Sequence, residues 1–140
     1  MMKYTKFEEL PIWKEALALT KLVYDLTAKG SFAKDFGLRD QTRRAVVSIS
    51  SNIVEGFEKN NNNEFIRYLK ISKGSIGEVR NHLYIALSVG YITKAEFEST
   101  NNRLDKLARD VGALTGYLDA YRKKQKSVIR NIKINNNKTK

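Results

Sequence analysis

The residues of this sequence that could do chemistry are mainly basic. The chain has 26 lysines and arginines against 15 aspartates and glutamates, which gives a formal net charge of +11. Basic side chains along a helix bind nucleic-acid phosphates, with an affinity that falls as salt rises. Ten positions are candidates for such contacts: Arg39, Arg43, Arg44, Arg67, Lys70, Lys73, Arg80, Lys123, Lys124 and Lys126. No aromatic platform is interleaved with them, so the pattern favours backbone contacts over base stacking, with an ordinary solvated helix face as the alternative.

Residue types that carry out catalysis are scarce. The chain has no cysteine, and His82 is its single histidine. Metal ligands and nucleophile–base pairs come in constellations, and a lone histidine has no second member to work with. The sequence therefore predicts a protein that is not an enzyme, with no metal, no cofactor and no small-molecule substrate.

The positive charge is concentrated at the C-terminal end. Eight basic residues and no acidic one lie between Arg122 and Lys140. Such a segment favours a polyanionic partner, while a solubilising, disordered end is the alternative. We expect residues 127–140 to be a basic, mobile tail.

Other features narrow the class of protein. No run of about 18 apolar residues is present, so we expect no membrane span. The first eleven residues lack the apolar stretch of a signal peptide. The absence of cysteine fits a cytoplasmic location.

The hydrophobic spacing predicts four helices. They cover about 11–29, 37–58, 63–89 and 94–124, within one domain of residues 1–126. Pro11 marks the first start, and Gly30 and Gly90 mark ends. Thr93 and Glu96 form a capping-box pattern before the fourth helix. Short connections between long helices predict an all-α fold, an antiparallel up-down-up-down four-helix bundle.

The second predicted helix carries apolar or small residues on the side away from the core. A helix of this kind is usually buried on both sides, which predicts a homo-oligomer with this helix at the interface. The candidate interface residues are Val47, Ser50, Ser51, Val54 and Phe57. The alternative is a pair of ordinary surface valines.

Polar residues form lines along the second and third predicted helices. These are Gln41, Ser48, Asn52 and Glu55 on the second, and Ser75 and Glu78, with Ser72, on the third. Buried polar groups need partners, so we interpret the lines as a structural hydrogen-bond network, with a small binding site as the alternative. Gly74 and Gly77, inside the third helix, suggest a close approach of another helix there.

Several motifs together resemble one known family. The densest is the stretch from Phe36 to Gly56, FGLRDQTRRAVVSISSNIVEG. Three others agree with it: Phe7-x-x-Leu10-x-x-Trp13-x-x-Ala16 followed by Tyr24, Phe65-x-x-Tyr68-Leu69-x-Ile71-Ser72-Lys73-Gly74-Ser75-x-x-Glu78, and Gly90-Tyr91-Ile92. In this order, over residues 7–121, they resemble the four-helix bundle family of proteins encoded in intervening sequences of 23S rRNA genes. Ala33 and Ser50 depart from the family pattern, which often has proline there, and the chain beyond Tyr121 has no counterpart in it.

The resemblance carries expectations about assembly and partners. It implies a ring of four-helix subunits, a pentamer, and a similarity to the basic accessory proteins of diversity-generating retroelements, which work with a reverse transcriptase and its template RNA. Two hypotheses follow. One is an oligomeric scaffold that binds RNA, DNA or a protein–RNA complex through phosphates; the other is a scaffold for a protein partner, without direct nucleic-acid binding.

Overall fold

The computed structural model describes residues 4–139, and every regular element among them is helical. A short 3₁₀ turn at Phe7–Glu9 precedes the first helix. The helices are α1 (Pro11–Thr27), α2 (Gly30–Lys34), α3 (Phe36–Glu58), α4 (Asn62–Ser88) and α5 (Lys94–Lys138). The prediction of an all-α fold is confirmed.

Local capping chemistry sets the starts of the long helices. Pro11 occupies the first turn of α1, where its missing N–H leaves no bond unmade. The Asn61 side chain accepts a hydrogen bond from the backbone N–H of Glu64 at 3.0 Å and so caps α4. The predicted capping box before α5 is confirmed, because Thr93 and Glu96 each bond the other's backbone N–H.

The connection after α1 differs from the prediction. The first helix, expected over 11–29, ends at Thr27. Gly30 has a left-handed φ of 52° and begins the short helix α2, which the hydrophobic spacing does not reveal. The buried side chain of Phe32 anchors α2 to the core.

The last helix is much longer than predicted. It was expected to end near residue 124, but α5 continues to Lys138, and each residue from 123 to 139 is exposed. No glycine or proline follows Gly116 to interrupt it. The mobility expected for 127–140 stays a prediction, and Lys140 lies outside the described residues.

The four long helices form a bundle around one core. Helix α4 packs against α3 and α5, and α1 packs against the same two helices. Fully buried side chains from each of them meet inside, among them Leu19, Ile49, Leu69, Leu83 and Leu104. The up-down-up-down order stays a prediction. No helix within residues 4–139 is long and apolar enough to cross a membrane.

A tyrosine ties the α4–α5 turn to the start of α3. The Tyr91 hydroxyl donates a hydrogen bond to Asp35 Oδ2 at 2.9 Å, and its ring packs 5.6 Å from that of Phe32. Asp35 also caps α3 through its other oxygen, which accepts from the Leu38 N–H. The bond to Asp35 raises the pKa of Tyr91 above its ordinary value of 10.0.

We expect Asp35→Asn to lower the pKa of Tyr91, because the variant removes the negative charge that holds the phenol proton. Since the pKa is raised in the folded protein, the bond stabilises the fold fully below the unfolded pKa, and this stabilisation is lost as pH rises through the folded pKa. An NMR titration of ring-labelled tyrosine in both proteins measures the change. Equal titration midpoints would show that this bond does not govern the Tyr91 proton.

Candidate nucleic-acid interface

Two of the predicted phosphate-binding arginines on α3 hold the bundle together. The Arg39 guanidinium donates to the backbone carbonyl of Ala33 at 3.0 Å. The Arg43 guanidinium donates to Thr27 Oγ1 at 2.8 Å and stacks 4.6 Å from the centre of the Tyr24 ring. Both side chains are partly buried in these contacts, so their first role is to join α3 to α2 and α1.

Two arginines on α4 form ion pairs or hydrogen bonds with side chains of the same chain. Arg67 pairs with Glu64 at 3.0 Å, one turn earlier. Arg80 donates to Asn101 Oδ1 at 2.9 Å and lies 3.4 Å from a carboxylate oxygen of Asp105 on α5. A phosphate would have to compete with these partners.

A cluster of paired charges also forms on α5, near the point where this helix extends beyond the bundle. Asp119 pairs with Arg122 and, at 3.2 Å, with Lys123. The hydrogen bond from Lys123 lowers the pKa of Asp119, so this carboxylate stays charged. Arg122 also donates to Asn63 Oδ1 at 3.1 Å, which fastens α5 to the start of α4.

The other five candidates have no ion pair within the described part of the chain. They are Arg44 on α3, Lys70 and Lys73 on α4, and Lys124 and Lys126 on α5. All five are exposed. The structure thus divides the ten predicted residues into five that have an ion-pair or hydrogen-bond partner within the chain and five that have no ion pair among the described residues.

The predicted oligomer interface lies along one side of α3. Val47, with 39% of its surface exposed, and Ser51 face solvent, while Ser50, Val54 and Phe57 are half-buried. The ring of Phe57 already has a contact within the chain, because it packs edge-to-face on Phe65 with centroids 5.9 Å apart.

Sequence reasoning missed a matching apolar surface on α1. Leu17 and Tyr24 share helical spacing with the buried residues Ala16 and Val23, but their own side chains are 52% and 39% exposed. They line a shallow groove of about 670 Å³ with Ala18 and the stem of Lys21. The core face of α1 is formed by buried residues that include Ala16, Leu19 and Val23. Tyr24 contacts Arg43 of α3, so this apolar surface continues towards the α3 candidates.

Most of the predicted polar network bonds locally. Ser48 donates to the Ala45 carbonyl, Asn52 to the Ser48 carbonyl and Ser75 to the Ile71 carbonyl. Gln41 and Glu78 are exposed. The two bonds that cross from α4 to α3 run from Tyr68 to Glu55, at 3.1 Å, and from the buried Ser72 hydroxyl to the Ile49 carbonyl, at 2.8 Å. The arrangement suits helix registration better than ligand binding.

We expect Ser72→Ala to reduce the free energy of unfolding by about 1 kcal/mol, because it deletes a buried hydrogen bond between helices. Ser75→Ala is the matched control, since Ser75 bonds its own helix at 3.3 Å. The control should lose less stability than Ser72→Ala, because the Ser75 bond is longer and stays within one helix. Urea unfolding of the two variants gives both values, and equal losses would contradict a special role for the Ser72–Ile49 bond.

Gly74 and Gly77 do not mark a close helix approach inside the chain. A Cβ built on either glycine would have no neighbour within 4 Å. The close approach is at Gly56, where a Cβ would lie 2.7 Å from Tyr68 Cβ. The expectation for Gly74 and Gly77 is therefore wrong within the chain.

Side chains that bind metal ions do not cluster in the described part of the chain. No cluster of three histidine, cysteine, aspartate or glutamate residues in 4–139 could hold a metal ion. His82 Nδ1 is buried and has no hydrogen-bond partner among the described residues.

Comparison with known proteins places this bundle in a family. A search of curated proteins finds no match. A crystal structure of a protein of unknown function from the S23 ribosomal protein family of Bacteroides thetaiotaomicron superposes with a TM-score of 0.68 at 22% identity, covering 74% of this chain and 97% of that one. At this identity the likeness shows the fold alone. The model of the 23S rRNA-intervening sequence protein family matches residues 8–113. Because this match spans most of the sequence, the chain belongs to the family of 23S rRNA-intervening sequence proteins.

Proposed function

We propose that this protein is a non-enzymatic, oligomeric helical scaffold that associates with nucleic acid, as RNA or within a protein–RNA complex, through phosphate contacts. Its subunit is an up-down-up-down bundle, and several subunits assemble into a ring, a pentamer. Each subunit presents basic side chains that hold a polyanion without reading its sequence.

The end of α5 carries this proposal. After Asp119 the chain has no acidic residue, and the exposed helical segment holds Lys124, Lys126, Arg130 and Lys133 without ion-pair partners among the described residues. A helical backbone sets the spacing of these cations, so that less entropy is lost when phosphates bind than for an unstructured tail.

Three residues of the bundle body extend the basic surface. Arg44, Lys70 and Lys73 are exposed and unpaired within residues 4–139. Repetition of these side chains around a ring would multiply weak contacts into a useful affinity.

Assembly is supported by the apolar surface on α1 and α3. Leu17, Tyr24 and Val47 are exposed, large and apolar, and Arg43 bridges the two helices between them. Exposed patches of this kind mark contact sites. Light scattering at tens of micromolar protein tests the assembly, and a monodisperse monomer would contradict it.

The second candidate function is a scaffold for a protein partner. It is favoured by the exposed aliphatic side chains of α5, Val128, Ile129 and Ile132, which phosphates do not require.

Fluorescence anisotropy with a labelled RNA hairpin and a DNA duplex at low salt separates the two functions. Phosphate binding predicts that both probes bind with similar affinities. If neither binds, the nucleic-acid function is rejected in favour of the protein scaffold.

A further inference from the structure

An aromatic cleft lies at the end of the bundle where the α3–α4 connection meets α5. Its volume is about 560 Å³, within the range of small-molecule sites. Five aromatic side chains from separate parts of the sequence line it: Tyr4, Phe57, Phe65, Tyr117 and Tyr121. Tyr121 directly precedes the basic residues Arg122, Lys123 and Lys124 in the sequence, and packing of the bundle brings the other four rings to it.

The aromatic rings of this cleft differ in burial and in their contacts with other rings. Phe65 is buried and packs on Phe57, so this pair forms a fixed apolar floor. Tyr121 is half-buried, and its hydroxyl accepts a hydrogen bond from Gln125 Nε2 at 2.9 Å. The Tyr121 ring stacks on no other aromatic ring of the described chain. A tyrosine held by its hydroxyl, with a ring that lacks an aromatic partner, is suited to stack against a planar ligand.

Tyr121 also stands where the cleft joins two grooves along α5. One groove passes Lys124 and Val128. The other passes Arg122 and Lys126 on its way to Ile129. The same ring therefore borders an aromatic cavity and two paths that carry exposed cations.

The charges differ between the cleft and the grooves. The cleft suits a nucleobase, and the grooves suit phosphates. Glu58 is the one acidic residue among the described residues that line the cleft, together with the amides of Asn60 and Asn62. A carboxylate disfavours a phosphate inside the cleft but tolerates a neutral ring with polar edges. The cations lie outside it, along the grooves.

We propose that this cleft binds an unpaired nucleobase of single-stranded nucleic acid, with the base stacked on Tyr121 and the adjoining phosphates on Lys124 and Lys126. This inference rests on the proposed function and adds base stacking to it. Stacking on an aromatic ring tolerates any base and excludes paired bases, so the site selects single strands without reading sequence. Residues 117–126 lie beyond the part of the chain that matches the family, which ends at residue 113.

The test compares single-stranded and duplex probes of equal length on the full-length protein. Labelled oligouridylate and oligothymidylate are titrated by anisotropy, beside a duplex, with wild type, Tyr121→Ala and Tyr121→Phe. Tyr121→Ala should weaken single-strand binding roughly 5- to 100-fold, the equivalent of one lost stack, and leave duplex binding unchanged. Tyr121→Phe should retain the affinity, because the ring remains. Comparison of the two single-stranded probes shows whether the strand is RNA or DNA.

Each other outcome has a definite meaning. If all probes bind and Tyr121→Ala weakens none of them, the stacking site is overturned while phosphate binding stands. If no probe binds to wild type, the proposed function fails and this inference with it. If Tyr121→Ala alters the melting curve, photocrosslinking of wild type to 5-bromouridine oligomers decides the matter. Crosslinks at Tyr121 support the site, and crosslinks only at other positions overturn it.

Discussion

Replacing Gly56 with alanine is expected to destabilise the protein by about 1–3 kcal/mol, as overpacking of a tight interior contact does. The new Cβ would lie 2.7 Å from Tyr68 Cβ, 3.1 Å from Phe65 Cδ1 and 3.4 Å from Phe65 Cα. Tyr68 Cβ is the root of a side chain, Phe65 Cα is backbone, and Phe65 Cδ1 belongs to a buried ring that packs on Phe57. Rotation of a flexible tip therefore cannot relieve the closest contact. Helices α3 and α4 would have to move apart where Tyr68 and Glu55 also bond.

Gly74→Ala is the matched control for this prediction. Gly74 lies in the exposed middle of α4 with no atom within 4 Å of a built Cβ. The same substitution should therefore stabilise the protein by up to about 1 kcal/mol, the difference in helix propensity. Thermal unfolding of both variants gives the comparison. Stabilisation by both would show that α3 and α4 do not approach closely at Gly56.

Neutralising the free cations at the end of α5 is expected to weaken nucleic-acid binding on the order of 100-fold at low salt, because four phosphate contacts are lost. The variant replaces Lys124, Lys126, Arg130 and Lys133 with glutamine. All four are exposed and have no ion pair among the described residues, so folding should be unaffected. Anisotropy with a labelled RNA hairpin measures the loss.

A control with the same net charge separates a local site from a general attraction. Glutamine replaces Lys29, Lys34, Lys94 and Lys106, which are also exposed but lie elsewhere on the protein. Ion pairs of Lys94 and Lys106 with acids one turn away are surface contacts of small value. The control should bind almost as well as wild type. Equal losses in both variants would mean that net charge, not the end of α5, attracts the nucleic acid.

Local signals in the sequence predict much of the fold. Thr93 and Glu96 act within one helical turn, and Asn61 caps α4 in the same way, so neighbouring residues contain all the information needed. Thr42, Ala45 and Ile49 of α3 fall at helical spacing in the sequence, and all three are buried. Such features depend on helical spacing, which sequence shows directly.

Features that depend on distant contacts could not be predicted. The phosphate contact of Arg43 stays a prediction, and the contacts of its guanidinium with Thr27 and Tyr24 of α1 could not be deduced from helical spacing. On α1, Leu17 and Tyr24 fit a stripe that includes Ala16, and only the packing of the other helices decides which side of that stripe is covered.

The candidate aromatic cleft also could not be predicted from the sequence. Tyr4, Phe57 and Tyr121 are far apart in sequence and become neighbours through packing of the bundle end. The length of α5 was missed for another reason. The apolar spacing that predicts the fourth helix fades after about residue 124, whereas lysine, arginine and glutamine continue the helix by their intrinsic propensity.

The salt dependence of binding tests the central claim most directly, that the basic end of α5 holds nucleic-acid phosphates. Affinity of the full-length protein for a labelled RNA hairpin is measured from about 50 to 200 mM salt. Four or more phosphate contacts predict a slope of log affinity against log salt of about −3 or steeper, reduced by about 3 in the α5 variant. A slope near zero, or no binding at about 50 mM salt, would contradict the account.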